Sequence, residues 1–199
     1  AQLSTWLRDP TDKWEKSIAH WIERDPTFVS AGDASHEAGG ALSEHLRFWF
    51  DVYWNPRIRR GCKLAPTDPE FVHINSLEFI VVLIQLAAHI VALESGYAQS
   101  IMHSDLPEIP LLQVWTDNAA SKSWANRVTT SAPAAQPLLG IQSALLRRNN
   151  LGFETEYIPG IYNDGPDFIS RPSRTNQPAF SHYHRSLQIM SNDERRNAW

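Results

Sequence analysis

Residues 111–124, LLQVWTDNAASKSW, change character halfway. Leu111, Leu112, Val114 and Trp115 make a short apolar run suited to a buried β-strand, whereas Asp117 and Asn118 lead into small residues that permit a helix. The run therefore predicts a strand that ends on a carboxylate, followed by a helix from about Ala119. Such a strand is a rigid rail, and an acid at its end is presented at the C-terminal edge of a sheet.

Upstream, HINSLEF (73–79) opens a long apolar helix. Asn75 or Ser76 is its expected N-cap, and Leu77, Ile80, Val81, Ile84 and Ala88 its buried stripe. The run from Phe79 to Leu93 contains Gln85 and His89 and falls short of the roughly 18 residues a membrane span needs, so a core helix is expected. Earlier still, TFVSAGDASHEAGGALSEHLRFWFDVYW (27–54) predicts a strand ending near Asp33, a glycine-containing turn and one or two further strands, a β-meander. NPRIRRGCKLAPTDPE (55–70), punctuated by Pro56, Pro66 and Pro69, predicts a loop.

Downstream, QPLLGIQSALLRRNN (136–150) predicts an amphipathic helix and GFETEYIP (152–159) a last short strand. DGPDFISRP (164–172) predicts a helical turn halted by Pro172. Strands first, then alternating helix and strand, give an α/β class with a mixed sheet and helices on both faces. Residues 1–25 are expected to be a helical extension, with Trp14, Ile18, Trp21 and Ile22 at helical spacing and Asp12 and Glu15 near its start. Beyond residue 172 the chain turns polar, and 173–199 is expected to be a second extension.

The 199 residues suit one domain with extensions, and 42% hydrophobic against 20% charged residues excludes a disordered chain. A single cysteine, Cys62, excludes an internal disulfide and a cysteine-rich zinc site. The opening AQLSTWLRDP lacks a signal-peptide pattern, so an intracellular chain, cytoplasmic or nuclear, is expected. A net charge of -4 argues against bulk electrostatic binding of nucleic acid. Basic residues nevertheless cluster at Arg57, Arg59, Arg60 and Lys63, at Arg147 and Arg148, and at Arg171 and Arg174; each cluster also reads as an ordinary solvated face.

Four acids sit where packing does not explain them: Asp33 on the first strand, Glu78 in the first turn of the long helix, Asp117 at a strand end and Asp167 near the last helix. Each has an ordinary reading as well. Glu78 can compensate the helix dipole, Asp117 can cap the helix from Ala119, Asp33 can open a turn, and Asp167 can be one acid among 22. Brought together, four carboxylates would repel one another, and hard oxygen ligands of this kind suit Mg²⁺ or Mn²⁺.

GDASHEAGGAL (32–42), HINSLEF, VWTDNAASKSW (114–124) and YIPGIYNDGPDFISRP (157–172) together resemble the ribonuclease H domain of retroelement polyproteins, of the DIRS-like and long-terminal-repeat kinds. The resemblance spans about residues 26–172, and Pro159, Gly160, Asn163, Asp167, Ser170 and Arg171 carry its most specific part. It implies a ribonuclease H-like fold with a mixed five-stranded sheet flanked by helices. It implies an endoribonuclease that hydrolyses the RNA strand of RNA/DNA hybrids, downstream of a reverse transcriptase module and monomeric. Asp33, Glu78 and Asp117 would hold one divalent ion, and Asp33 with Asp167 a second. Ser35 and Asn118 are candidate nucleic-acid contacts by position, although both read equally as turn and cap residues, and the loop that carries Arg57, Arg59 and Arg60 offers a candidate phosphate contact.

One departure stands out. Where many members of that family carry a histidine before the final Pro-Gly, this chain has Tyr157, whose ordinary pKa near 10 makes it a poor proton shuttle at neutral pH. The rival expectation is a non-catalytic module of the same fold that docks on nucleic acid or protein. A proofreading exonuclease is disfavoured because the first strand reads Asp33, Ala34, Ser35, and an integrase because the closing acid is Asp167 rather than Glu. A tryptophan-rich interaction domain would account for Trp6, Trp14 and Trp21 but not for the acids.

Overall fold

A computed structural model of the chain describes residues 25–102 and 105–172. The expected N-terminal helix with its tryptophans, the extension after residue 172, and His182 and His184 lie outside the described residues.

Five strands form one sheet. Strand β1 (Phe28–Ala34) pairs antiparallel with β2 (Ala38–Ser43), and β2 antiparallel with β3 (Phe48–Tyr53). On its other side β1 runs parallel to β4 (Leu111–Thr116), which runs parallel to β5 (Gly152–Tyr157). The order β3-β2-β1-β4-β5 makes the fold α/β with a mixed five-stranded sheet flanked by helices, the ribonuclease H-like class expected from the sequence.

Among the described residues, the α-helices are α1 (Pro56–Gly61), α2 (Ile74–Glu94), α3 (Tyr97–Met102), α4 (Ala119–Arg127), α5 (Gln136–Arg148) and α6 (Asp164–Ile169). Helix α2 packs across β1, β2 and β4 and also touches α4 and α5, while α6 lies on β1 and β2. Gly32 faces the Val81 and Gln85 side chains of α2, and Gly40 faces Ile169 of α6. Gly32 pairs with Ala41 and Asp33 with Gly40, so the alternation of side chains puts α2 and α6 on opposite faces.

The core lies between α2 and the sheet, where Phe28, Phe79, Leu86, Leu112 and Val114 are almost completely buried. Each contributes about 1.5–3 kcal/mol by leaving water. A second apolar cluster, Ala34, Ala41, Trp54, Cys62, Leu77 and Val81, sits beside the start of α2. Loops are tied by local bonds. At the β1–β2 turn, Ser35 Oγ accepts from the Glu37 and Ala38 amides at 3.0 and 3.1 Å, a hydroxyl standing in for a backbone acceptor.

Several expectations need correction. Helix α2 is capped by His73, whose Nδ1 accepts from the Asn75 amide at 3.0 Å, rather than by Asn75 or Ser76. Its buried face also differs. Leu77 and Val81 are buried, but Ile80, Ile84 and Ala88 are only partly buried, and Phe79, Val82, Gln85, Leu86 and His89 take the interior, because α2 is enclosed by the sheet and by α3, α4 and α5 at once. At 21 residues, with an 18-residue window of mean hydropathy 2.1, it is long and apolar enough to cross a membrane. Burial of 67% of that window inside the protein, rather than shortness, marks it as a core helix.

Gly39 and Gly40 lie within β2 instead of in a turn; a side chain on Gly40 would meet Ile169 at 2.6 Å and the Ser170 amide at 2.7 Å, so glycine permits α6 to approach the sheet. The expected loop at 55–70 opens with helix α1, because Asn55 Oδ1 accepts from the Ile58 amide at 3.0 Å and Pro56 fits the first helical turn. Trp115 is 37% exposed: period-2 alternation buries Leu112, Val114 and Thr116 and turns Trp115 to the other face.

Candidate metal centre

The site begins with strand register. Gly32 of β1 pairs with Thr116 of the parallel strand β4, so Asp33 and Asp117 are the next residues on two adjacent strands running the same way. Parallel pairing therefore brings two carboxylates, 84 residues apart in sequence, to one edge. Glu78 arrives from the other layer: its Oε1 accepts from the Ala34 amide at 3.2 Å. One carboxylate oxygen from each of Asp33, Glu78 and Asp117 lies within 4.8 Å of the others.

Burial sets the electrostatics. Asp33 is 2% exposed and Glu78 4%. Burial, with the charges of Asp33 and Asp117, pushes the Glu78 carboxyl up to about 9. Burial also raises Asp33, with Asp117 adding to the rise and the Ser170 hydroxyl and the Arg171 charge opposing it. Asp117 is raised mainly by burial, against the pull of a backbone hydrogen bond and of Arg171.

The ordinary reading of Glu78 does not survive this geometry. Counting from His73, Glu78 is in the second turn, beyond the exposed amides that a first-turn acid compensates. Its Oε2 is buried and has no hydrogen-bond partner. Three oxygen donors at this spacing, on a cluster whose Glu78 also carries an unpartnered buried oxygen, fit a hard divalent cation, and the triad can hold a metal ion. Asp117 is not the cap of α4 either; Asn118 Oδ1 accepts from the Ser121 amide at 2.9 Å, which leaves the Asp117 carboxylate to the cluster.

Asp167, the fourth acid, is on α6 outside this triad and forms an ion pair with Arg171 one turn on. Helix α6 is nonetheless clipped to the site. Asn163 Nδ2 donates to the Gly32 carbonyl at 3.2 Å, and Ser170 Oγ donates to Asp33 Oδ2. Ser35 Oγ in turn donates to the Ser170 carbonyl at 2.5 Å. Gly160, in the loop leading to α6, passes so close that a Cβ there would lie 3.0 Å from Asp117 Oδ2.

The residues expected to touch nucleic acid are placed differently from one another. Ser35 spends its hydroxyl on the turn and on Ser170, and Asn118 spends its amide on Asn75 Oδ1 at 3.0 Å and on the Ser121 cap. Both therefore act as structural ties. Arg57, Arg59 and Arg60 are exposed on α1 rather than in a loop, and Arg57 pairs with Glu70 at 3.2 Å. Tyr157 ends β5 beside Thr116 and is 49% exposed.

Sequence reasoning passed over Ser170, Arg171 and Asn163 as site residues. They stand in the motif that ends at Pro172, but no spacing rule reveals that Ser170 reaches Asp33 across 137 residues. No protein-family model and no curated protein matches this chain.

Proposed function

We propose that this protein is a metal-dependent endoribonuclease that hydrolyses the RNA strand of RNA/DNA hybrids and works as a module of a reverse transcriptase. The observation that carries this reading is the buried Asp33, Glu78 and Asp117 triad at the edge of a β3-β2-β1-β4-β5 sheet. The motif resemblance across residues 26–172 supplies the substrate class.

Asp33, Glu78 and Asp117 would hold one ion of the Mg²⁺ or Mn²⁺ kind, and the resemblance implies a second ion held by Asp33 with Asp167. Such ions supply Lewis acidity toward phosphate oxygens and lower the pKa of attacking water. The chain's own residues prepare the site. The β1 and β4 ends hold Asp33 and Asp117 in register, and Ser170 donates to one oxygen of Asp33 and so fixes its carboxylate. Glu78, whose carboxyl burial pushes up to about 9, would have to lose its proton to serve as a ligand. Water attack on the phosphodiester then releases the 3′-hydroxyl of one RNA fragment and leaves a 5′-phosphate on the next.

A labelled RNA/DNA hybrid incubated with the full chain and Mg²⁺ or Mn²⁺ tests the reading. Wild type should cut the RNA strand, and Asp117→Asn should cut it roughly a thousandfold more slowly, since the charge stabilisation at stake is several kcal/mol. Tyr157 at the position of the family's histidine favours the second reading, a docking module. Hybrid binding without cleavage under either ion would establish that reading and reject the enzyme.

A further inference from the structure

We propose that Ile161 and Tyr162 form an apolar platform at the rim of the acidic triad that seats a nucleotide of the RNA/DNA hybrid, its base or sugar lying against the two side chains. The inference rests on the nuclease reading above and deepens it.

Among the described residues these two are the most exposed large hydrophobic side chains, at 74% and 71%. Single exposed apolar residues are ordinary, but two in succession beside a site mark a contact surface. The segment that carries them is pinned. They belong to a 3-10 turn, Gly160–Tyr162, held between anchors on the two strands whose ends present Asp33 and Asp117. On one side the Ile158 amide donates to the Thr116 carbonyl at 3.0 Å, and Gly160 comes so near that a Cβ would lie 3.0 Å from Asp117 Oδ2. On the other, buried Asn163 donates from Nδ2 to the Gly32 carbonyl at 3.2 Å, next to Asp33. The Tyr162 amide closes the turn on the Pro159 carbonyl at 2.8 Å. Both exposed side chains are therefore fixed one residue from groups that touch the site.

Chemistry selects the occupant. The carboxylate oxygens of the triad suit a hard cation that grips phosphate oxygens, so a ligand held there brings a polyanionic strand past the turn. The groups that flank each phosphate of such a strand are sugars and bases, and a base stacks on an aromatic ring whatever the sequence. Ile161 and Tyr162 carry no charge, so the affinity they add survives ionic screening. A chain with a net charge of -4 has need of it, because bulk electrostatics gives it no attraction for a polyanion.

The test is the affinity of the full chain for a labelled RNA/DNA hybrid in Mg²⁺, read as KM where wild type cuts the hybrid and as Kd by fluorescence anisotropy where it binds without cutting. Ile161→Ser and Tyr162→Ala should each weaken it, the tyrosine change roughly ten- to a hundredfold, while Tyr162→Phe and Tyr162→Trp, which keep a ring, should stay within about threefold of wild type. The salt dependence of Tyr162→Ala should keep the wild-type slope, since no phosphate contact is removed. Its melting temperature and its Mn²⁺ binding by calorimetry should also match wild type. Val91→Ala truncates another exposed apolar side chain about 20 Å along α2 from Glu78, and should leave hybrid affinity unchanged. Unchanged affinity in Ile161→Ser or in Tyr162→Ala, with wild type binding the hybrid, would overturn the platform. So would a loss of Mn²⁺ binding or of melting temperature in Tyr162→Ala, which would make the turn a structural support. Failure of the nuclease reading looks different: wild type would neither bind nor cut the hybrid, and the platform would fall with it.

Discussion

Glu78 gives the sharpest handle on the site, because ion binding there must displace a proton. Its folded pKa of about 9 lies well above the ordinary carboxylate value of 4.5. At pH 7 the group is two units below its pKa, so ionising it costs about 3 kcal/mol and weakens metal binding roughly 100-fold relative to the plateau above pH 9. Mn²⁺ affinity should climb about tenfold per pH unit between pH 6 and 8, and more steeply if Asp33, also raised by burial, contributes. Calorimetry at pH 7 in two buffers of different ionisation enthalpy should find at least about one proton released per ion bound.

The same shift has a consequence for the metal-free fold. A carboxyl whose folded pKa is raised contributes stability at low pH, and that contribution is lost as pH rises from 4.5 toward 9, because the unfolded chain ionises first. Glu78→Gln, neutral in both states, should therefore raise the melting temperature of the metal-free protein at pH 8 while weakening Mn²⁺ binding and reducing its proton release. Ion binding that is flat between pH 6 and 8 and releases no proton would refute the reasoning.

Other perturbations test the frame that carries the acids. His89 is fully buried in α2, with Nδ1 2.8 Å from the Gln85 carbonyl, and burial lowers its pKa to about 4. The stability of the neutral ring is fully present above its unfolded pKa of 6.5 and is lost as pH falls toward 4, by roughly 3 kcal/mol, so urea midpoints should drop across that window and His89→Leu should flatten the drop. Gly40→Ala should cost about 1–3 kcal/mol and lower Mn²⁺ affinity, because its Cβ drives Ile169 and Ser170 away from β2 and disturbs the Ser170 bond to Asp33; unchanged affinity would separate α6 from the site. Phe79→Ala, in the core under the sheet, should cost about 3–5 kcal/mol by urea denaturation. Lys122→Ala, which removes the 2.5 Å pair with Glu156 on the surface, should cost less than about 1 kcal/mol and leave Mn²⁺ binding intact.

Local patterning in the sequence determined a good deal. The apolar run before Asp117 and the small residues after it specify β4 and α4, and the long run through Leu93 specifies a core helix, since strand and helix periods are properties of neighbouring residues. Asp33, Glu78 and Asp117 were legible as candidates because acids are out of place beside such elements. Their convergence was not. It depends on β1 lying parallel to β4, in a register that aligns Gly32 with Thr116, and on α2 delivering Glu78 to the Ala34 amide.

Only the tertiary structure decided what each polar group spends its hydrogen bonds on. His73 takes the cap that Asn75 could have made, which leaves Asn75 to receive Asn118, and Ser35 is consumed by its own turn and by Ser170. It also separated Asp167 from the triad and gave it to Arg171. Long-range pairing is the physical reason: a residue's type limits what it can bond, but which partner lies within three ångströms is set by how distant segments of the chain pack.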